Sequence, residues 1–302
     1  MAHLCNLDGA ILPEADARIP VLDRGFLFGD SCYEVVRTER ELPFGWPEHF
    51  ARLRASAAAL QLPLDLSDAQ LARRIAATLA AADHGDSYVR VIVTRGTGTA
   101  PNIDLGYAPG PPCWVLLVRP LTPMAGKPAR LHVIGRLRTD RRALDPATKS
   151  GNYLNSVLGL AEAKALGATD CVMLNNDGFV TEASTSNVFA RLAGRWCTPP
   201  LTAGILAGVT RALVLAFLRE LGEPAEERHL TADELHAADE IFLSSTLRDI
   251  GPVTHLDGRA LHGGGAGPQT ARLLPPFAAY SARRMRDEYG PRWRQLLAGA
   301  EP

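Results

Sequence analysis

Two short stretches hold the residue types that could do chemistry. One is Lys149-Ser150-Gly151-Asn152-Tyr153-Leu154-Asn155, a single lysine in a Gly/Asn turn; the other is Val180-Thr181-Glu182-Ala183-Ser184-Thr185-Ser186-Asn187, a carboxylate in a Thr/Ser/Asn loop. A lysine with an ordinary pKa of about 10.4 is protonated at neutral pH and a poor nucleophile. Condensed with an aldehyde as a Schiff base it escapes that limit. Once an amino substrate displaces it, the released amine stands beside the carbon whose proton must move, ready to act as general base and then acid. A carboxylate against a pyridine nitrogen keeps that nitrogen protonated, so the ring accepts the electrons left behind when the carbon loses its proton. Lys149 and Glu182 are therefore candidates for the two halves of a pyridoxal phosphate site. The alternative is a surface lysine and a surface glutamate in loops, and the rest of the chain must decide.

The elements that have to position them follow from periodicity. Phe50, Leu53, Ala57 and Leu60 at helical spacing predict a helix over 48–60, with Arg52 and Arg54 between them; Ser67-Asp68-Ala69-Gln70 is a capping box opening a second helix that runs to Ala82. Residues 88–94 and 113–118 are β-rich, and alternation puts Val89, Val91 and Val93 on one face and Arg90 on the other. Pro120, Pro123 and Gly126 mark a linker at 121–127 between an N-terminal domain, 1–120, and a C-terminal one, 128–302. Beyond it we expect a strand near 130–135, a helix over 155–166 closed by Gly167 and a strand at 170–174 turning through Asn176-Asp177-Gly178. A helix over 209–221, a capping box at Thr231 and a short buried strand at 241–243 complete the series. Residues 263–267 read as a flexible loop and 278–297 as a basic amphipathic helix on the outside.

Composition narrows the partners. The chain has 302 residues, 46% of them hydrophobic, and a formal net charge of −1. That is an ordinary globule with one large or two moderate cores, and it has no global field for nucleic acid or an anionic membrane. A small-molecule partner is expected. No apolar run approaches the roughly 20 residues of a membrane span. Residues 1–10 lack the pattern of a signal peptide, and the five cysteines show no Cys-x-x-Cys spacing, so free thiols in a reducing cytoplasm are expected.

The chain resembles the class IV aminotransferases, pyridoxal phosphate enzymes of fold type IV, through five blocks in order. The first is Asp23-Arg24-Gly25-Phe26-Leu27-Phe28-Gly29-Asp30 with Tyr33-Glu34-Val35-Val36, similar to the family's N-terminal strand and hairpin at the substrate pocket. Phe28 and Tyr33 become pocket candidates, with plain core packing as the alternative. The second is Glu48-His49-Phe50-Ala51-Arg52-Leu53, in which the resemblance makes Arg52 the phosphate ligand, a role suited to a planar guanidinium; on spacing alone it could be a solvated helix-face residue. The third and fourth are the lysine turn and the glutamate loop, where Lys149 is implied to form the imine, Tyr153 to bond the ring hydroxyl and Glu182 to face the ring nitrogen. The fifth is a pair of turns, Gly204-Ile205-Leu206-Ala207-Gly208-Val209-Thr210-Arg211 and Ser244-Ser245-Thr246-Leu247, similar to the family's phosphate-facing turns; Val209, Thr210 and Thr246 are the implied contacts.

That resemblance implies an α/β (α+β) two-domain fold, small N-terminal domain and larger C-terminal domain with the cofactor between them, and a homodimer whose partner loops close the pocket. It implies transfer of an amino group between an amino acid, of D- or branched-chain type, and a 2-oxo acid. The loop Thr97-Gly98-Thr99-Ala100-Pro101-Asn102 lacks the Arg-x-His pair with which D-alanine transaminases hold the substrate carboxylate, so Arg90, with Tyr33, takes that part. Leu247 joins the substrate residues. Thr246-Leu247-Arg248-Asp249 resembles the turn of aminodeoxychorismate lyases, which eliminate pyruvate with the same lysine and cofactor, and that remains the alternative. An R-selective amine transaminase and a protein that stores the cofactor without turnover are further readings.

Overall fold

The computed structural model describes residues 2–39 and 41–299, which form two compact units. The first holds the chain up to residue 122 together with 148–152 and the chain from 282 onward. Its sheet joins β1 (Leu4–Leu7), β2 (Ala10–Pro13), β3 (Ser31–Glu39), β4 (Leu42–Pro43), β5 (Ser87–Thr94) and β6 (Cys113–Pro120) in the order β2-β1-β6-β5-β3-β4. Val89, Val91 and Val93 alternate inward on β5 as their spacing predicts, and all three are buried. Two helices, α2 (Trp46–Ala59) and α3 (Asp68–Ala82), belong to this unit, the latter opened by the full Ser67–Gln70 capping box.

The block at residues 23–30 departs from the expected strand and hairpin. Asp23 Oδ1 accepts hydrogen bonds from the Gly25 and Phe26 N–H groups and starts a five-residue helix, α1 (Arg24–Phe28). Gly29, at φ 67°, ends it in the left-handed region before β3 begins.

Two stretches that composition places in the second domain belong to the first. Residues 149–151 hydrogen-bond to β3: Tyr33 N–H donates to Lys149 O at 3.0 Å, and Gly151 N–H to Ser31 O at 2.8 Å. The tail is not one helix laid on the outside. It runs as α7 (Pro268–Arg284), a π-helical turn over Met285–Tyr289 and α8 (Gly290–Leu297), where Tyr289, Trp293 and Leu296 are buried. Trp293 meets Trp46 and Phe50 edge to face, and Tyr289 meets Phe44. An aromatic face, not a basic one, decides where the tail goes.

The second unit holds residues 123–147 and 153–281. Its strands are β7 (Ala129–Val133), β8 (Asp170–Leu174), β9 (Val180–Ala183), β10 (Asn187–Leu192), β11 (Arg195–Thr198), β12 (Ala225–Glu227), β13 (Glu240–Ser245), β14 (Asp249–Leu256) and β15 (Arg259–Ala260). They run in the order β12-β11-β10-β13-β14-β7-β8-β9, and β15 pairs with β14. Because β9 also pairs with β10, through Glu182 opposite Asn187, the sheet curls back and closes on itself. Ala129, Leu131, Val172, Val188, Ile241, Leu243 and Val253 fill a dry core. The helices are α4 (Leu154–Ala165), α5 (Val209–Glu220) and α6 (Ala232–Ala237). Gly167, at φ 79°, follows α4 as its position predicts, and Gly178, at φ 80°, closes the β8–β9 turn.

Candidate active site

In the first unit the lysine turn is fixed by its backbone. Lys149 N–H donates to Ser56 Oγ on α2 at 3.0 Å, and Ser150 bridges to Cys32 on β3. Gly151 is obligatory there, since an added Cβ would lie 2.2 Å from Ser31 Oγ. This delivers Lys149 Nζ to Tyr33, 3.4 Å from its hydroxyl and 4.4 Å from its ring centroid. Arg90 comes to the same ring. It pairs with Val35, two residues along β3 from Tyr33, and its guanidinium lies 4.1 Å from the Tyr33 ring centroid. Arg90 Nε is buried without a hydrogen-bond partner. Phe28 lies elsewhere, half-buried beneath the Arg24 guanidinium at 5.0 Å.

Arg52 projects from α2 onto Glu34. Its Nε and Nη2 donate to the two carboxylate oxygens at 2.7 and 2.8 Å, and His49 Nδ1 meets Glu34 Oε2 at 2.7 Å. Burial opposes the charge on Glu34, yet the Arg52 guanidinium and the His49 bond outweigh it and hold the carboxyl down to about 2. Burial pushes the His49 imidazole below its usual value against the pull of Glu34. A neutral ring beside an ionised carboxylate implies that Nδ1 carries the proton and donates it.

The second unit gathers a carboxylate and a set of donors at one edge of its sheet. Glu182 Oε1 accepts from Arg138 Nε at 3.0 Å and Nη2 at 2.8 Å; Oε2 accepts from Leu206 N–H at 3.0 Å and Asn187 Nδ2 at 3.2 Å. Four N–H donors fix the carboxyl plane. Asn187 Nδ2 also reaches Leu206 O at 3.0 Å, and a Cβ on Gly208 would lie 2.0 Å from Asn187 Oδ1, so the backbone entering α5 passes against this amide. Val209 and Thr210 open α5 behind Gly208, and no side chain caps the helix. The Thr210 hydroxyl is buried and unpartnered, as is the Ser244 hydroxyl on β13, opposite Asn187. Thr246 and Leu247 follow in the turn after β13, and Tyr153 precedes α4; all three are half-buried.

Pyridoxal phosphate matches this donor set. An uncapped twelve-residue helix with a buried orphan hydroxyl in its first turn suits a phosphate, and a pinned carboxylate suits a protonated pyridine nitrogen. Reading the sequence missed Arg138 and Asn187, the side chains that orient Glu182, and the Glu34–His49 pair behind Arg52. Asn187 stands in the quoted loop, but a small amide there looks like any turn residue. Arg138 has no motif at all. His49 and Arg52 at spacing i, i+3 did signal a shared helix face.

Comparison with known proteins agrees with this geometry. Residues 31–256 match the family model described as amino-transferase class IV. A putative branched-chain-amino-acid aminotransferase of Methanocaldococcus jannaschii is 34% identical over 90% of this chain and 94% of its own length. A D-alanine aminotransferase of Bacillus licheniformis is 32% identical over 88% and 93%. Among solved structures, the branched-chain aminotransferase of Thermoproteus uzoniensis with norvaline superposes with a TM-score of 0.85 at 28% identity, covering 96% of this chain and 98% of that one. Other matching branched-chain aminotransferases were solved with pyridoxamine 5'-phosphate or with N-(5'-phosphopyridoxyl)-L-glutamate.

Proposed function

The chain belongs to the class IV aminotransferases, and from that premise we propose the part each of its residues plays. It is a transaminase with the fold type IV architecture and pyridoxal 5'-phosphate as cofactor. Its aminotransferase relatives decide for amino transfer over the elimination of pyruvate. When bound, the cofactor supplies an aldehyde to hold the amino group and a ring to take up electrons from the substrate carbon.

Lys149 Nζ holds that aldehyde carbon at rest and, displaced by the amino substrate, carries the proton off the substrate carbon and returns it one position away. Tyr33 Oη orients Nζ between strokes. Glu182 keeps the ring nitrogen protonated, with Arg138 and Asn187 fixing the carboxylate plane. Tyr153 bonds the ring hydroxyl, and Arg52, Val209, Thr210 and Thr246 hold the phosphate. Arg90 and Tyr33 receive the substrate carboxylate, while Phe28 and Leu247 border its side chain. The substrates are an amino acid, branched-chain or D-, and a 2-oxo acid.

The observation that carries this assignment is the coincidence in the second unit of a pinned Glu182 with an uncapped helix whose Thr210 hydroxyl lacks a partner. The holoprotein, reduced with borohydride and digested, is expected to yield one pyridoxyl adduct, on Lys149; an adduct elsewhere overturns the assignment. A panel of D- and L-amino acids, followed by loss of the cofactor's visible absorption, then fixes handedness.

A homodimer is part of the same reading. Leu154, Val157 and Leu158 form an exposed apolar stripe along α4 at spacing i, i+3, i+4, and the first unit exposes Val21, Phe26 and Ile103. Among the described residues no helix is long and apolar enough to cross a membrane. The five unpaired cysteines support the cytoplasm as its compartment.

A further inference from the structure

β14 and β7 are parallel neighbours, with Val253 opposite Ala129, so the turn before β14 and the segment before β7 lie side by side at one end of the sheet. The turn is a tight connection. Ser245 pairs with Asp249, Arg248 N–H donates to Ser245 O at 3.2 Å, and Asp249 takes the left-handed conformation at φ 55°. Such a turn holds Thr246 and Leu247 in place but sets no requirement on the side chain at 248. That side chain is an arginine, and it reaches the neighbouring segment.

Two hydrogen bonds join the pieces. Gly126 N–H donates to Arg248 O at 3.2 Å, and Arg248 Nη1 donates to Lys127 O at 2.9 Å. Gly251 makes the second possible. An added Cβ there would lie 2.3 Å from Arg248 Cδ and 3.0 Å from Lys127 O, so any larger residue displaces the arginine from its acceptor. Burial lowers the pKa of Arg248 while the charge of Asp170 opposes the shift, and the guanidinium stays charged at any working pH. A partly buried cation spent on a single carbonyl is costly unless holding that carbonyl matters.

We propose that Arg248 is a positioning residue that makes the 246–248 turn and the 123–127 segment move as one body, so that an anion seated on the turn orders the segment. The inference rests on the assignment of Thr246 to the cofactor phosphate and Leu247 to the substrate. Segment 123–127, with Pro123 and Gly126 at its ends, has no strand or helix of its own, and the latch replaces one.

Hydrogen exchange read by mass spectrometry, on the full chain with and without pyridoxal phosphate, tests this in wild type, Arg248→Ala and Arg248→Lys. Without cofactor, Arg248→Ala should speed exchange in peptides covering 123–128 roughly five- to tenfold, and Arg248→Lys, which keeps a donor, should speed it less. Cofactor should slow these peptides in wild type and leave them unchanged in Arg248→Ala, although that variant still develops the visible absorption given by Lys149. In steady state, Arg248→Ala should raise KM for the amino donor severalfold with kcat nearly kept, a split that general loosening does not give. Equal exchange in wild type and Arg248→Ala without cofactor overturns the latch. A real latch whose wild-type segment ignores bound cofactor overturns the coupling. Failure of wild type to take up cofactor at all overturns the functional reading instead, and the cofactor-free comparison still judges the latch.

Discussion

Glu34 is nearly inaccessible to solvent, with 2% of its side chain exposed, yet it is ionised because Arg52 and His49 both meet it. The sign of its contribution to stability follows. A folded-state value near 2 against an ordinary 4.5 stabilises the fold fully above about pH 4.5, and that contribution drains away as pH falls toward 2. His49 acts in the same direction, since its depressed value means that the unfolded chain binds a proton the folded one refuses. Glu34→Gln should lower stability at neutral pH by roughly 3 kcal/mol, because it leaves Arg52 facing a neutral amide. It should also flatten the loss between about pH 4.5 and 2; urea unfolding midpoints across that range check both, and an unchanged acid slope would count against Glu34 as its source. Glu182 gives a second test. Arg138→Ala removes two of its four donors, so cofactor should still bind while kcat falls tenfold or more, on the order of a lost positioning bond. Reading the sequence found Lys149 and Glu182 because each stands in a recognisable run of small and polar residues. It missed Glu34, His49, Arg138 and Asn187 because the partners of a buried charge lie far apart in sequence, and only the folded chain joins position 138 to 182 or 34 to 52.

Helix α2 has two working faces. His49, Arg52 and Ser56, at spacing i, i+3, i+7, serve Glu34 and the Lys149 backbone; Trp46, Phe50, Leu53 and Ala57 are buried on the other side, where Trp46 meets Trp293 at 5.5 Å and donates Nε1–H to Tyr289 O at 3.2 Å. The tail thus sets where Arg52 stands. Trp293→Ala, a core truncation that costs about 3–5 kcal/mol, should weaken binding of pyridoxal phosphate about tenfold while changing the affinity for phosphate-free pyridoxal much less. Absorbance titrations with the two aldehydes measure the difference, and an equal loss for both would show that the tail supports the unit but not Arg52. Periodicity anticipated α2, α3, α4 and α5, whose apolar spacing and caps are local signals. It did not anticipate α1, which depends on one Asp23 cap, nor the π-helical turn at Met285–Tyr289. Nor did it place residues 148–152 and 282–302, whose membership of the first unit is decided by pairing with β3 and by aromatic contacts with Phe44, Trp46 and Phe50.

Each unit closes a core of its own, yet each leaves large apolar side chains in water. Leu154 is 66% exposed and Val157 56% on α4; Val21 is 76%, Phe26 68% and Ile103 80% in the first unit. Scattered singly these would need no explanation, but three in one stripe on the helix that follows the lysine turn are a surface that a second copy can cover. Ile103 is held out by design, since its carbonyl accepts from Arg24 Nη2 at 3.0 Å and that arginine is itself buried and bonded to Asp30. A loop pinned this firmly loses little entropy on association, which favours a permanent contact over a transient one. The protein should therefore sediment as a homodimer. Val157→Glu places a charge in the α4 stripe, where it is harmless to a monomer at a half-exposed site but unpaired and desolvated in a dimer interface. That variant should shift toward monomer at micromolar concentration, with the circular dichroism of the monomer preserved. The wild-type unfolding temperature should rise with protein concentration, and that dependence should vanish in the variant. Sedimentation velocity and thermal scans over a hundredfold range of concentration decide the matter: a wild type that is monomeric throughout, or a Val157→Glu variant as dimeric as the parent, removes α4 from the interface.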